Sequence, residues 1–149
     1  MRDARLATHY TMFPTEYEDC LLPATTGAET DPLTLVMHER PMIYVAGYYS
    51  ANPTHGVVNA VKGYDALRAL GWCPVVPHIS ILLDMLSPNT PEYWYAYDFA
   101  LLKRCDAMFV CPDEKTAGST GVADEIVFCN RYDIPVVYEL VAARDWINR

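Results

Sequence analysis

Residues 42–47, MIYVAG, are a short run of apolar and β-forming side chains that ends at a glycine. A run of this length, followed by turn residues, predicts a buried β-strand. A helical pattern begins at Pro53, with Ser50 or Asn52 in position to cap it, and Gly71 follows its last apolar position. A buried strand that leads directly into a helix is typical of proteins with parallel sheets.

The same alternation of strand and helix continues to the end of the chain. The apolar runs that predict further strands are residues 73–77, 107–111 and 134–138, and the helical patterns are about 91–104, 120–131 and 141–148, with a helical turn within 79–90. We therefore expect residues 40–149 to form a doubly wound, flavodoxin-like α/β domain, with four or five parallel strands and helices on both faces. Residues 1–39 contain three prolines and no apolar periodicity, which predicts a partly ordered N-terminal extension.

The composition is that of an acidic globular protein. Of the 149 residues, 52% are hydrophobic and 20% are charged, and nineteen acidic against eleven basic side chains give a net charge of −8. This balance argues against a nucleic acid polymer as partner, because its phosphates require a basic surface. A small phosphorylated ligand remains compatible with it, because backbone amides at a helix N-terminus can hold one phosphate.

Signals for export, membrane insertion and metal binding are missing from the sequence. No apolar run approaches the length of about 20 residues that a membrane span requires, and the first twenty residues do not have the pattern of a signal peptide. The five cysteines include no CxxC pair, and the four histidines are scattered. We expect a cytoplasmic protein with reduced thiols, no membrane contact and no metal ion.

Asp98 is an acidic residue within an apolar helical stripe. Trp94, Leu101 and Cys105 share its helix face, and an unpaired carboxylate there is costly. One interpretation is a structural aspartate at the rim of the core, hydrogen-bonded to a neighbouring loop. The other is a functional carboxylate.

Glu125 lies in the opening turns of the helix that begins at Ser119, where we expect it to be exposed. The helix macrodipole alone favours acidic residues such as Asp124 and Glu125 near a helix N-terminus. The functional interpretation pairs Glu125 with Asp98. One carboxylate attacks a sugar carbon while the other positions the sugar or handles a proton, as in retaining glycoside cleavage.

The loops that follow the first two strands hold further candidates, because ligands of open α/β sheets bind beyond the carboxyl ends of the strands. Gly47 lets the backbone approach a ligand, and Tyr48 and Tyr49 can stack on a base. His78 ends the second strand and is either a structural or a binding residue. A plain tight turn with locally packed tyrosines explains the first loop equally well.

Three segments of the chain resemble the nucleoside 2-deoxyribosyltransferase superfamily, which includes the deoxynucleoside 5′-monophosphate N-glycosidases and small uncharacterised bacterial and phage relatives. They are residues 43–47, IYVAG, residues 98–106, DFALLKRCD, and residues 119–125, STGVADE. The second resembles the family's D-L-x-x-(I/L)-x-x-x-D element and the third its S-x-G-x-x-x-E element. The resemblance covers roughly residues 41–140 and leaves the first forty without a counterpart.

The resemblance implies a role for each matched position. Glu125 would be the nucleophile on the anomeric carbon, Tyr44 would orient it, and Asp98 would contact the sugar or assist the departing base. Ser119 would face the 5′ end of the substrate, where the N-glycosidase branch binds phosphate and the transferases tend to carry an acid. Substrate contacts would come from the first loop (Gly47, Tyr48, Tyr49, Ser50 and Asn52), from His78, and from Ser119 and Gly121.

The resemblance further implies an enzyme without redox or metal cofactor that assembles as a homodimer or larger homo-oligomer. The expected reaction is hydrolysis of the base–sugar bond of (deoxy)nucleoside 5′-monophosphates. Base exchange on free deoxynucleosides is the alternative within the family, because the first loop has no arginine for the phosphate. A catalytically silent nucleotide-binding module is the alternative outside the enzyme class.

Overall fold

The computed structural model describes residues 37–50 and 52–149. Within them, four strands form one sheet in the order β2-β1-β3-β4, and every pair is parallel. The strands are β1 (Met42–Ala46), β2 (Cys73–Val75), β3 (Ala107–Val110) and β4 (Val136–Val137). The prediction of a parallel α/β sheet is confirmed, with four strands. The predicted N-terminal extension lies outside the described residues except for a 3₁₀ turn at Met37–Glu39.

In the described part of the chain, five α-helices connect and follow the strands. They are α1 (Pro53–Ala69), α2 (Ile81–Leu86), α3 (Pro91–Leu102), α4 (Thr120–Arg131) and α5 (Leu140–Ile147). Two 3₁₀ turns, Pro77–Ser80 and Thr116–Gly118, precede α2 and α4. None of the described helices is both long and apolar enough to cross a membrane.

The core consists of two apolar clusters that contain alternate residues of the central strands. Ile43 and Val45 of β1 belong to the first cluster, together with residues of α1 and α5. Tyr44 and Ala46 belong to the second, together with residues of α3 and α4. Because successive side chains of a strand point to opposite sides, this alternation places Tyr44 on the side of the sheet where Asp98 and Glu125 are carried.

The segment between β1 and α1 is held by an N-cap and by one close backbone approach. Asn52 caps α1 by accepting a hydrogen bond from the His55 amide at 3.1 Å, which decides between the two predicted caps. A Cβ at Gly56 would clash with the carbonyl oxygen of Tyr48. The glycine therefore lets the first turn of α1 approach the loop closely, and the loop's position is set by this contact.

Two details of the predicted elements differ from the structure. The fourth strand has only two residues, whereas its apolar run has five. Ile134 and Pro135 lie before the strand, and Tyr138 follows it and is exposed. In α1, Val61 is exposed, whereas Gly56, Ala60 and Leu67 are buried. The buried stripe of α1 is thus built on small residues, which apolar periodicity does not reveal.

Candidate active site

A cavity of about 250 Å³ lies beyond the carboxyl ends of β1 and β2. The loop after β1 contributes Gly47, Tyr49 and Ser50, and the turn after β2 contributes His78. Helices α2, α3 and the first turns of α4 supply the remaining walls. β1 lies between β2 and β3, so the chain forms β2 on one side of β1 and then crosses to the other side to form β3. Doubly wound folds bind ligands in the crevice beyond the carboxyl ends of the strands at such a reversal of strand order.

Glu125 lines the cavity, and Tyr44, which does not line it, contacts Glu125 from β1. The Tyr44 hydroxyl donates a hydrogen bond to Oε1 of Glu125 at 2.6 Å, across 81 residues of sequence. Tyr44 is fully buried in β1, which fixes its ring. Burial and the neighbouring negative charge of Glu125 raise the pKa of Tyr44 well above its ordinary value, so it remains a donor. Oε1 is thereby engaged, and Oε2 is the oxygen available to a ligand.

Glu125 is half-buried, which corrects the expectation of an exposed residue at a helix start. Desolvation raises the pKa of its carboxyl group to about 7, and the charges of Asp98 and Asp124 add to the rise, while the hydrogen bond from Tyr44 opposes it. A carboxylate with a pKa near neutrality is poised to exchange between proton-bound and nucleophilic forms.

Asp98 faces the same cavity from α3. Its Oδ1 is buried and has no hydrogen-bond partner within residues 37–50 and 52–149, which disagrees with the interpretation of a structural aspartate tied to a neighbouring loop. Desolvation raises the pKa of Asp98 to about 6. A buried carboxyl group without a partner is costly, and a ligand that contacts it offsets that cost.

His78 contacts the loop that follows β1. Its Nε2 donates to the carbonyl oxygen of Gly47 at 3.1 Å, and burial lowers the pKa of His78, so the imidazole is neutral. The ring of Tyr49 contacts it edge-on, with centroids 6.0 Å apart. The Cβ position of Gly47 lies in van der Waals contact with the imidazole, 3.4 Å from Nε2. His78 thus lines the cavity and also holds the loop after β1 in position through its hydrogen bond to Gly47.

Ser119 and Gly121 line the cavity at the N-terminus of α4. The Ser119 side chain caps the helix by accepting from the Val122 amide at 3.4 Å. Gly121 leaves room for Tyr95, whose hydroxyl lies 3.8 Å from the Cβ position of that glycine. Helix amides and hydroxyl groups are therefore the anion-binding groups of this wall, and in the described part of the chain no lysine or arginine lines the cavity.

Two predicted binding residues lie outside the cavity lining. Tyr48 is buried, and its hydroxyl group donates to the carbonyl oxygen of Asn52 at 3.4 Å. Asn52 is exposed and caps α1. Both residues support the loop that carries Tyr49 and Ser50 and do not face the cavity.

Sequence reasoning missed the wall formed by α2 and the start of α3. Trp94 and Tyr95 line the cavity, although neither was among the predicted site residues. Asp84 also lines it and accepts a hydrogen bond from the Trp94 indole at 2.6 Å. The spacing of Trp94, four residues before Asp98 on one helix face, was a usable signal. Asp84 had none, because its segment shows no recognisable motif.

No group of three or more histidine, cysteine or acidic side chains suited to a metal ion is found among the residues that the structure describes. The cavity instead combines two carboxyl groups at its buried end with aromatic walls. Such a site can perform nucleophilic and proton-transfer chemistry on a small, partly aromatic ligand.

Comparison of the chain with protein-family models, curated proteins and solved structures returns no match.

Proposed function

We propose that the protein is an N-glycosidase that hydrolyses the base–sugar bond of (deoxy)nucleoside 5′-monophosphates. The observation that carries the proposal is the pair of cavity-lining carboxyl groups, of which Glu125 is oriented by the phenol of Tyr44 and Asp98 has a buried oxygen without a partner in the described residues. The three residues also stand at the positions at which the sequence resembles the nucleoside 2-deoxyribosyltransferase superfamily.

In the proposed mechanism, Oε2 of ionised Glu125 attacks the anomeric carbon. The bond from this carbon to the base nitrogen breaks, its electron pair goes to the base, and Asp98 supplies the proton that the leaving base requires. Water then attacks the glycosyl–Glu125 ester and gives one proton to Asp98, which restores both carboxyl groups. The products are the free base and the sugar phosphate, and no cofactor takes part.

Tyr44 has a positioning role in this mechanism. Its hydrogen bond holds the Glu125 side chain in one rotamer and stabilises the ionised carboxylate over the proton-bound form. Preorganisation of this kind lowers the reorganisation that the attack requires.

The preferred substrate follows from the wall at the N-terminus of α4. Ser119 and the free amides of the first helical turn favour an anion, and an acid at position 119 would repel one. The lack of lysine and arginine in the described cavity lining is the observation that favours the second candidate, base exchange on free deoxynucleosides.

A substrate panel distinguishes the two candidates. We expect free base to be released from monophosphates with a kcat/KM at least about tenfold higher than from the matching nucleosides, and Ser119→Asp to abolish that ratio through charge repulsion. Ser119→Asn, which keeps a neutral capping side chain, is the matched control. Faster reaction of free nucleosides, together with transfer of the sugar to an added base, would establish the transferase instead.

We also propose that the chain forms a homo-oligomer in the cytoplasm. Helix α2 exposes Leu82, Met85 and Leu86 by 62%, 73% and 89%, and contiguous apolar side chains of this kind mark contact surfaces. The four described cysteines are free thiols, which agrees with a reducing compartment.

The native mass of the full chain tests this assembly. We expect at least twice the chain mass of 16.8 kDa by light scattering, and a lower mass for Met85→Lys combined with Leu86→Lys. Val127→Lys, at an exposed apolar position of α4, serves as the control. A monomeric wild-type protein at all concentrations would contradict the assignment.

A further inference from the structure

The wall of the cavity that α2 and α3 form contains a fixed carboxylate, Asp84. Oδ1 of Asp84 accepts two hydrogen bonds, from the Trp94 indole at 2.6 Å and from the Asn89 amide at 3.0 Å. In the part of the chain that the structure describes, no hydrogen bond engages its second oxygen, Oδ2. Both contacts lower the pKa of Asp84, so the group is ionised at neutral pH. Asp84 therefore presents a pure acceptor to the cavity that it lines.

Trp94 is held in one orientation beside this acceptor. Its indole N–H is used by Asp84, and the rings of Tyr93 and Tyr97 contact it edge-on at centroid distances of 5.1 and 5.7 Å. A partly buried indole that is fixed in this way offers a flat apolar surface on which a planar heterocycle can stack.

The position of this wall relative to the carboxyl pair matches the position that a base would take. Trp94 precedes Asp98 by four residues on the same face of α3, which is one helical turn, or roughly 6 Å along the axis. If the anomeric carbon lies at Glu125 and the 5′ phosphate at Ser119, the base points toward the remaining wall. That wall includes Trp94, Asp84 and the apolar residues Pro77 and Ile81, together with Tyr49 and Ser50 of the loop after β1.

We infer that Asp84 reads the base, and that the site selects bases with an exocyclic amino group over their oxo counterparts. The inference rests on the proposed function and names its substrate class: adenine and cytosine nucleotides. Oδ2 accepts a hydrogen bond from the amino group of either base. The carbonyl oxygen that hypoxanthine or uracil places at the same position would face the carboxylate with no proton between them, an unpaired contact that the site cannot relieve.

The variant Asp84→Asn gives the sharpest test, because the structure predicts which way its amide points. The two donors that hold Oδ1 require an acceptor at that place, so the NH₂ group must occupy the position of Oδ2. In the variant, a donor replaces the acceptor that faces the base. We therefore expect the preference for amino-bearing over oxo-bearing bases to invert and not merely to weaken.

The experiment measures two quantities for two matched pairs of deoxynucleoside monophosphates, adenine with hypoxanthine and cytosine with uracil. The dissociation constants are measured on the Glu125→Gln background, in which the ligand is not consumed, and the release of free base is measured with intact Glu125. We expect each amino-bearing ligand to bind at least about tenfold more tightly than its oxo partner, and Asp84→Asn to reverse the order. Glu92→Gln, at an exposed carboxylate of α3 outside the cavity, is expected to leave both ratios unchanged.

The two readouts separate this inference from the proposed function. Binding that prefers the amino-bearing ligands, without release of base, would support the role of Asp84 and contradict the glycosidase. Release of base with equal binding within each pair would overturn the role of Asp84 and leave the glycosidase intact. The role of Asp84 is also overturned if Asp84→Asn folds with an unchanged melting temperature and keeps the wild-type preference, or if none of the four ligands binds.

Discussion

Replacement of Glu125 by glutamine is expected to lower kcat for base release by at least about 10³-fold, because an amide cannot attack the anomeric carbon. Glutamine keeps the shape of the side chain, and its carbonyl oxygen can still accept the hydrogen bond from Tyr44. Substrate binding should therefore persist, and the loss should appear in kcat and not in KM. A single-turnover assay that follows free base provides the measurement.

Asp124→Asn is the matched control for this variant. Asp124 is the exposed neighbour of Glu125 on α4, and its replacement removes a charge from the same helix end without touching the cavity. We expect its kcat to stay within a few-fold of the wild type. A fully active Glu125→Gln protein, or equal losses in both variants, would exclude Glu125 as nucleophile.

Replacement of Glu125 by glutamine also has a consequence for stability that depends on pH. The pKa of Glu125 is raised in the folded protein to about 7 from its ordinary value of 4.5, so folding favours the protonated form. The stability associated with this proton is fully present below pH 4.5 and is lost as the pH rises toward 7 and beyond. Glutamine has no charge to desolvate, so Glu125→Gln should be more stable than the wild type at pH 8, by about 1–3 kcal/mol, and nearly equal to it at pH 4.5.

The parallel sheet was predictable because its strands are short apolar runs bounded by clear helix caps. Residues 43–46 and 107–110 are almost completely buried, and burial on both sides of a strand leaves an apolar run in the sequence. The two-residue strand β4 was overestimated for the same reason, since an apolar run records burial and not hydrogen-bond pairing.

The positions of Glu125 and Asp98 in the site were predictable from the sequence, but the raised pKa values of their carboxyl groups were not. The family resemblance indicated Glu125, Asp98 and Tyr44; in the structure Glu125 and Asp98 line one cavity, and Tyr44 donates a hydrogen bond to Glu125. Their raised pKa values depend on desolvation by residues from several elements, which no local pattern encodes. Asp84 shows most clearly what the sequence does not reveal. The role that we infer for Asp84 depends on two hydrogen-bond donors, Trp94 and Asn89, and Asn89 lies in a turn that has no recognisable sequence motif.

Asp98→Asn is expected to produce the second large loss, about 10²–10³-fold in kcat, because the leaving base is then deprived of its proton donor. Binding should change little, since asparagine has the same shape. The loss should be greatest for bases that are poor leaving groups and smallest for substrates whose base departs without protonation. Equal losses across all bases, with KM raised, would show that Asp98 contacts the sugar and does not assist departure. Glu114→Gln, exposed in the loop after β3, is the control.

The pH dependence of Asp98→Asn distinguishes these roles further. In the wild type, Glu125 must be ionised and Asp98 protonated, and their pKa values of about 7 and about 6 predict a bell-shaped kcat/KM with its maximum between pH 6 and 7. In Asp98→Asn the alkaline limb should disappear, because no carboxyl proton remains to be lost, and the acidic limb that remains should report the ionisation of Glu125 alone. An alkaline limb that persists in Asp98→Asn would assign the proton donor to another group.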